Sequence, residues 1–306
     1  MSLSLVRGTS YVCPGVFAVG VYVHGNTAIL IDSGSDESSA KNITHLVQSA
    51  GCTITAIIQT HAHADHCGGT SFLQKKFPQV RVYATYDEKC LIEDPLFAPR
   101  CFCGGAAPFL GLQNKSIAPQ RASAVTDVIT PYQDQRVDVC GVPFTLVTLP
   151  GHSSGAIGVI TPDNVLYCGD AIVGPVTFNK HPFLFYTNIG DALSSFKKLA
   201  NKAVDACVIY HGGLDSDHAA TLQQHEARIL ETRAAILSIV KDQGASIDSI
   251  TQSVMKMYAI PNNMVAWTLT QTTVKAYLAQ LEAEKNIELV VTDGLLVVRA
   301  VSFPKQ

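Results

Sequence analysis

Six residues constrain this chain more than any others: His61-Ala-His63-Ala-Asp65-His66. Three imidazoles and a carboxylate crowd into one short segment, close behind the apolar run Ile54 to Ile58. That run is rich in β-branched residues and reads as a buried strand. The fold must therefore end a buried strand in a loop that presents ligands, which is where α/β architectures place their chemistry. In an extended segment His61 and His63 point the same way and reach one metal ion. Asp65 and His66 lie just past them and turn to a second. A pattern this dense has a low chance of arising by accident.

The rest of the chain sets the frame for that loop. A length of 306 residues suits one large domain plus a small one. With 47% hydrophobic and 15% charged residues a sizeable core is expected. The net charge of −3 gives no case for a nucleic acid or an anionic membrane surface as partner. No apolar run approaches the ~20 residues of a spanning helix, and MSLSLVRGTS lacks the apolar core of a signal peptide. Nine cysteines, an odd number scattered from Cys13 to Cys207, fit reduced thiols. The expected location is cytoplasmic.

Strands are expected over Val16 to Val23 and Ala28 to Ile31, joined by the turn His24-Gly25-Asn26. A helix is expected over Glu37 to Ala50, then the strand Ile54 to Ile58, a helix from Gly69 to Lys76 and a strand from Val80 to Ala84. From about 94 to 124 the pattern degrades into prolines, a Gly104-Gly105 pair and the aromatics Phe97, Phe102 and Phe109, expected to be exposed. So long an irregular segment is read as a lid or substrate-recognition insert. Strands resume at Val137 to Val139, Phe144 to Thr148, Ala156 to Ile160 and Val165 to Cys168. A helix over Asp191 to Ala203 and a strand over Cys207 to Tyr210 follow. Two strand series alternating with helices predict two sheets packed face to face with helices outside. From about Leu222 the grammar changes to three helices (to about Asp242, Ile247 to Met257, about Met264 to Glu284) and a hairpin around Thr292-Asp293-Gly294. That order predicts a winged helix. The expected division is 1–218 for the catalytic domain and 219–306 for the C-terminal one.

Further ligands should stand at other strand ends. His152 follows Leu149-Pro150-Gly151, Asp170 follows Tyr167-Cys168-Gly169, and His211 follows Val208-Ile209-Tyr210. Small neighbours let these loops turn inward. With THAHADH, LPGHSSG, CGD and YHGG in this order and spacing, residues of about 10 to 215 resemble the metallo-β-lactamase superfamily. The resemblance implies an α/β fold, the four-layer αββα sandwich. It also implies two divalent ions, with His61, His63 and His152 on the first, Asp65, His66 and His211 on the second, and Asp170 bridging. Asp32, in ILIDSG, matches the family's structural aspartate, which supports the motif loop from behind. Nitrogen and carboxylate ligands suit Zn²⁺, with Fe or Mn as alternatives. Two such ions sharing a water give a bridging hydroxide near neutral pH; Asp65 also orients it.

Asp170 and the missing signal peptide argue against an antibiotic-degrading enzyme, and His63 against a diiron oxygen reductase. The sandwich followed by a winged helix resembles the β-lactamase-like protein 2 and glyoxalase II-like group. The expected activity is hydrolysis of a small ester, thioester or lactone. The alternatives are a metal-dependent nuclease on single-stranded RNA or DNA, and an iron-dependent oxidoreductase such as a persulfide dioxygenase. Residues 221–306 carry eight Lys/Arg against eight Asp/Glu, where a nucleic-acid reader needs a basic face. The C-terminal unit is therefore read as a packing, dimerisation or active-site-wall element, so the expected partners are a small molecule and, as an open option, a second copy. No membrane is expected, and a nucleic acid enters only with the nuclease alternative.

Several residues are set aside. Cys67 and Cys168 read as packed core, and Cys101-x-Cys103 lacks a partner pair for a metal. His24, His45, His218 and His225 read as turn or helix-surface residues. Arg100, Lys115 and Arg121 read as solvated charge. His181 and Tyr186, just beyond Asp170, are held as candidates for substrate contact.

Overall fold

The computed structural model describes residues 2–15, 17–241 and 244–301, and within them two β-sheets share one buried layer. The first sheet takes its seven strands in chain order: Ser4–Arg7, Ser10–Val12, Gly20–His24, Thr27–Ile31, Thr53–Ile58, Arg81–Thr85 and Asp127–Ile129. Pairing is antiparallel as far as Thr27–Ile31 and parallel beyond it. The second sheet runs Gly213–Asp215, Ala206–Ile209, Val165–Tyr167, Ile157–Ile160, Val142–Thr148, Gln135–Val139. Only the pair Val165–Tyr167 and Ala206–Ile209 is parallel there.

Side-chain alternation explains the layers. In Thr27–Ile31, Ile29 and Ile31 join Ile58, Phe144, Leu146 and Val159 between the sheets. Ala28 and Leu30 point the other way, against Ala40, Ile43 and Val47 of the helix Glu37–Ser49. That is a period of two meeting an i, i+3, i+7 stripe. Asp36 caps this helix by accepting the Ser39 N–H. Leu166, Cys207 and Ile209 of the second sheet pack against Phe196 and Leu199 of the helix Ile189–Ala200 on the opposite outer face. The architecture is the four-layer sandwich expected.

The C-terminal part is the helix His218–Val240, the short strand Ala245–Ser246, the helices Ile247–Met257 and Met264–Ala283, and the hairpin Ile287–Thr292 with Leu295–Ala300. Leu295–Ala300 lies between the other two strands. Positive φ at Asp293 and Gly294 closes the hairpin. The core of this part is continuous with the sandwich: Phe196 and Ile209 belong to the same cluster as Ile229, Ile236, Val254, Tyr277 and Leu281. No described helix is long and apolar enough to cross a membrane.

Differences from expectation sit at the edges. The strands Ser4–Arg7, Ser10–Val12, Asp127–Ile129 and Gly213–Asp215 are too short to show a period, and the pattern did not predict them. The helices Tyr86–Glu93 and Pro175–Lys180 were also unexpected. The segment 94–124 is less irregular than its prolines imply, with a helix Phe97–Phe102 and one tight turn at Leu110–Leu112. Phe97 and Phe109 are exposed, whereas Phe102 is half-buried. The expected strand start at Val16 and helix end at Asp242 lie outside the described residues.

Candidate metal centre

The motif loop is held from behind before any ligand is counted. At the end of Thr27–Ile31, Asp32 takes a left-handed backbone conformation (φ 67°), which Asp tolerates better than most residues. Its carboxylate accepts the Thr60 N–H at 2.8 Å, the Thr60 hydroxyl, and His66 Nδ1 at 2.8 Å. The Ser33 N–H and hydroxyl both donate to the His66 carbonyl. Two residues on, a Cβ on Gly68 would stand 2.0 Å from the Ser35 carbonyl, so only glycine fits there.

Two residues that the sequence did not single out complete this frame. Glu88, buried in the helix Tyr86–Glu93, accepts from the Ala62 N–H, the Gly155 N–H and the Ser153 hydroxyl. It thereby ties the loop of His61 and His63 to the loop of His152. A side chain on Gly155 would collide with the Thr85 hydroxyl at 2.4 Å. Thr85-x-x-Glu88 is a capping-box pattern that marks the helix start, yet both side chains turn to these loops instead. Tyr210 donates its hydroxyl to the Asp65 carbonyl at 2.6 Å, and its ring stacks on His66 at 3.7 Å.

The loops at the ends of Thr53–Ile58, Val142–Thr148, Val165–Tyr167 and Ala206–Ile209 bring all seven expected ligands into two adjoining groups. His61, His63 and His152 form the first: Nδ1 of His63 lies 3.0 Å from Nε2 of His61 and 2.8 Å from Nε2 of His152. Asp65, His66, Asp170 and His211 form the second. His211 Nε2 stands 3.1 Å from Asp65 Oδ2 and 3.2 Å from Asp170 Oδ2. Asp170 faces both groups, since the same oxygen is 3.6 Å from His152 Nε2. The outer ring nitrogens of His61, His66 and His152 are engaged, His152 Nδ1 donating to the Phe185 carbonyl at 3.0 Å. This aims the inner nitrogens at the centre.

The two groups differ in charge. Burial, then neighbouring imidazoles, hold His61 neutral, and the same effects bring His63 down to about 3. In the second group burial opposes charge but loses. Asp170, Asp32 and Asp65 lift His66 well above its ordinary value, and hydrogen bonds to Asp170 and Asp65 lift His211 to about 9. Burial would raise Asp65, yet His66 and His211 bring it down to about 2. Two atoms stay unsatisfied: His66 Nε2 and Asp170 Oδ1 are buried, 3.3 Å apart and misaligned for a hydrogen bond. Unpaired buried donors and acceptors are costly, and a cation meeting both atoms removes the cost. The residues present fit a pair of divalent ions.

A family model of the metallo-beta-lactamase superfamily matches residues 15–211, which include every one of these side chains. The chain belongs to the metallo-beta-lactamase superfamily. The hydroxyacylglutathione hydrolase of Synechococcus sp. (strain WH7803) is 25% identical over 182 residues, 56% of this chain and 57% of that protein. That of Legionella pneumophila (strain Paris) is 29% identical over 138 residues, 45% of this chain and 41% of its own. The chain spans about half the length of the curated relatives it matches. Among solved structures, a metallo-beta-lactamase family protein from Thermus thermophilus has a TM-score of 0.70 at 16% identity, covering 96% of this chain and 97% of that one. At that identity the likeness is one of fold, and it extends through the C-terminal helices.

Around this metallo-beta-lactamase site the residues set aside fall out differently. A central chamber of about 200 Å³ lies over the two groups, roofed by Phe102 and Ile117 of the insert, Phe185, and Leu269 of the helix Met264–Ala283. His181 is exposed and lines an adjoining cavity. Tyr186 is not a substrate contact: it is 3% exposed, packed near Phe196, with its N–H donating to Thr273. His225 is not on the surface either, at 1% exposure. It falls in the buried stripe Thr221, Ile229, Thr232, Ile236 of its helix, and that spacing was the available signal. Its Nδ1 donates to the Thr221 carbonyl, and Nε2 accepts the Val173 N–H, three residues past Asp170. Cys67 and Cys168 are core. Cys101 and Cys103 are free and outside the ligand groups. Arg100 pairs with Asp94, while Lys115 and Arg121 are exposed.

Proposed function

We propose that this chain is a metal-dependent hydrolase that uses two divalent ions, zinc by its donor set, to cleave a small ester, thioester or lactone. His61, His63 and His152 would hold one ion, Asp65, His66 and His211 the other, and Asp170 both. The observation that carries this is the convergence of seven pinned ligands around two buried, unpaired atoms. When bound, such a pair supplies an acidified water as nucleophile and a Lewis acid for the substrate oxygen. The chain supplies the rest. Asp65, whose side chain is 33% exposed and thus the more open of the cluster's two carboxylates, can also accept a hydrogen bond from the attacking water and so orient it. Phe102, Phe185 and Leu269 set an apolar roof above it. Curated relatives named hydroxyacylglutathione hydrolase support the reaction type. Nine unpaired cysteines support a reducing, cytoplasmic location.

For the C-terminal part we propose a winged helix, residues 219–306 beside a catalytic domain of 1–218. Its order is helix, strand, helix, helix, strand, strand. The third helix, which would have to be free to enter a groove, instead lines the cavities over the site through Leu269, Thr272 and Ala276. It serves as an active-site wall. The test is elemental analysis of the purified protein, followed by turnover of thioesters, lactones and phosphodiesters by zinc-, manganese- and iron-loaded samples. Two zinc ions and acyl hydrolysis are expected. Phosphodiester cleavage without acyl hydrolysis, or oxygen consumption by an iron form alone, would overturn the reading.

A further inference from the structure

The cluster is where two larger cavities meet. Past Phe102 and Ile117 the central chamber adjoins one of about 780 Å³, between the insert and the helix Met264–Ala283. Past Asp170 and Leu269 it adjoins another of about 850 Å³, between the loop after Asp170 and the C-terminal helices. Phe185 lines all three and stands at their junction. A substrate whose reacting carbon sits over the metals therefore has one arm on each side.

The arms differ in chemistry. The insert-side arm is walled by Leu91, Phe97, Ala98, Phe102, Ala276 and Ala279. Two charged side chains on it are already engaged, Asp87 by the Tyr132 hydroxyl and Lys275 by Gln271. Phe97 keeps 41% of its surface exposed there. The opposite arm has apolar stretches too, but adds the ammonium of Lys180 and the imidazole of His181; its Thr177 and Asn263 are engaged by the His211 carbonyl and the Ala266 N–H. Cavities of several hundred Å³ with apolar walls and a few convergent polar groups are ligand sites. The hydroxyls of Ser153, Thr187 and Thr272 on the insert side are engaged too, which leaves Tyr86 and Ser154, so these walls discriminate among ligands chiefly by burying apolar area.

We propose that the acyl part of the substrate is a linear aliphatic chain of hexanoyl to decanoyl length, lying in the insert-side arm, with the polar leaving group toward Lys180 and His181. This rests on the hydrolase reading and narrows it to medium-chain acyl thioesters and esters. In the reaction, water adds to the carbonyl carbon and the carbon–sulfur or carbon–oxygen bond breaks. A proton passes to the departing sulfur or oxygen, releasing a fatty acid and a thiol or alcohol. No redox partner is needed.

Each methylene moved from water onto such walls strengthens binding by up to roughly fourfold. The experiment compares acetyl, hexanoyl and decanoyl thioesters of N-acetylcysteamine on the metal-loaded full chain. The kcat/KM should rise at least about tenfold from acetyl to decanoyl. Ala98→Trp and Ala279→Trp, which fill the arm from opposite walls, should each lower the decanoyl-to-acetyl ratio by at least about tenfold. Ala279 is exposed, so its variant should fold, as checked by circular dichroism. A flat or falling series, or ratios unmoved by both variants, overturns the acyl-chain assignment and leaves the hydrolase reading standing. If no thioester is turned over, the hydrolase reading is at fault. The arm is then read by calorimetry with decanamide: binding that either Trp variant weakens supports the assignment, and no binding overturns it.

Discussion

The floor of the site and its roof are built on opposite principles. On the floor, ligands are bonded from behind: His66 by Asp32, His152 by the Phe185 carbonyl, the motif loop by Glu88 and Tyr210. The roof is made of Phe102, Ile117, Phe185 and Leu269, contributed by three separate parts of the chain. Its insert hydrogen-bonds largely to itself, Gln113 to the Pro108 carbonyl and Asn114 to that of Gly111. It meets the C-terminal helix through apolar contact, with Gly111 against Met264. Directional bonds fix a geometry, whereas apolar surfaces accept new partners at small cost. The floor is therefore built to hold one arrangement of side chains, and the roof to accept different apolar partners.

The sharpest test of the floor is Asp170→Asn. His66 and His211 meet this carboxylate at 3.3 and 3.2 Å, and the variant removes its charge. The fold should survive by circular dichroism, metal content should drop by elemental analysis, and turnover should fall below detection. Full activity would show that the floor does not depend on this residue.

Next in size is Glu88→Ala, which orphans the Ala62 and Gly155 N–H groups and the Ser153 hydroxyl in a buried place. Each orphan costs about 1–3 kcal/mol, so a loss of at least about 3 kcal/mol is expected from urea unfolding, together with weaker metal retention. A change below about 1 kcal/mol would mean that the two ligand loops hold their places without it.

A third test concerns the joint between floor and roof. Burial, with a contribution from Arg228, depresses His225 to about 4 against the ordinary 6.5, although its bond to Thr221 pulls the other way. The folded state thus keeps the ring neutral. Above 6.5 neither state binds the proton; between 6.5 and 4 the unfolded state binds it first. Stability should fall as pH drops through that window, by up to about 3 kcal/mol from this group, and level off below it. His225→Gln should flatten the slope in a comparison of urea midpoints at several pH values. Parallel slopes for the two proteins would remove His225 from the account.

The same contrast decides what the sequence made legible. The side chains that meet in the two groups, His61, His63, Asp65, His66, His152, Asp170 and His211, could be picked out as candidates because each stands just past an apolar strand, beside small residues. The central strands announced themselves by alternation, as Ile29 and Ile31 do. Glu88 and Tyr210 gave no such sign, because their partners are backbone groups far away: Glu88 reaches Ala62 and Gly155, at separations of 26 and 67 residues. His225 was misread as surface because its burial depends on Val173, Phe178 and Phe196 closing over one face of its helix. The roof was least legible. Phe102 and Ile117 share their chamber with Leu269 of a helix that begins only at Met264, so local pattern carries no trace of that neighbour.

The smallest expected effect on the floor comes from removing the insert's share of the roof. Excising about residues 99–119 and closing the gap with a flexible linker should leave metal content unchanged, because every ligand and every bond from behind lies elsewhere. The base of the insert has its own anchors, which the excision spares. Gln74 donates to the Ala124 carbonyl at 2.8 Å and accepts its N–H at 3.0 Å, and the Ser123 N–H donates to the Ile92 carbonyl. Phe102 and Ile117 would be lost, and with them one wall of both the chamber and the insert-side arm. Relative kcat/KM across a panel of acyl substrates should therefore shift by more than the metal-to-protein ratio does. A variant that loses its metal would show that floor and roof are one structure. An unchanged substrate ranking would place selectivity with Phe185 and the C-terminal helix instead.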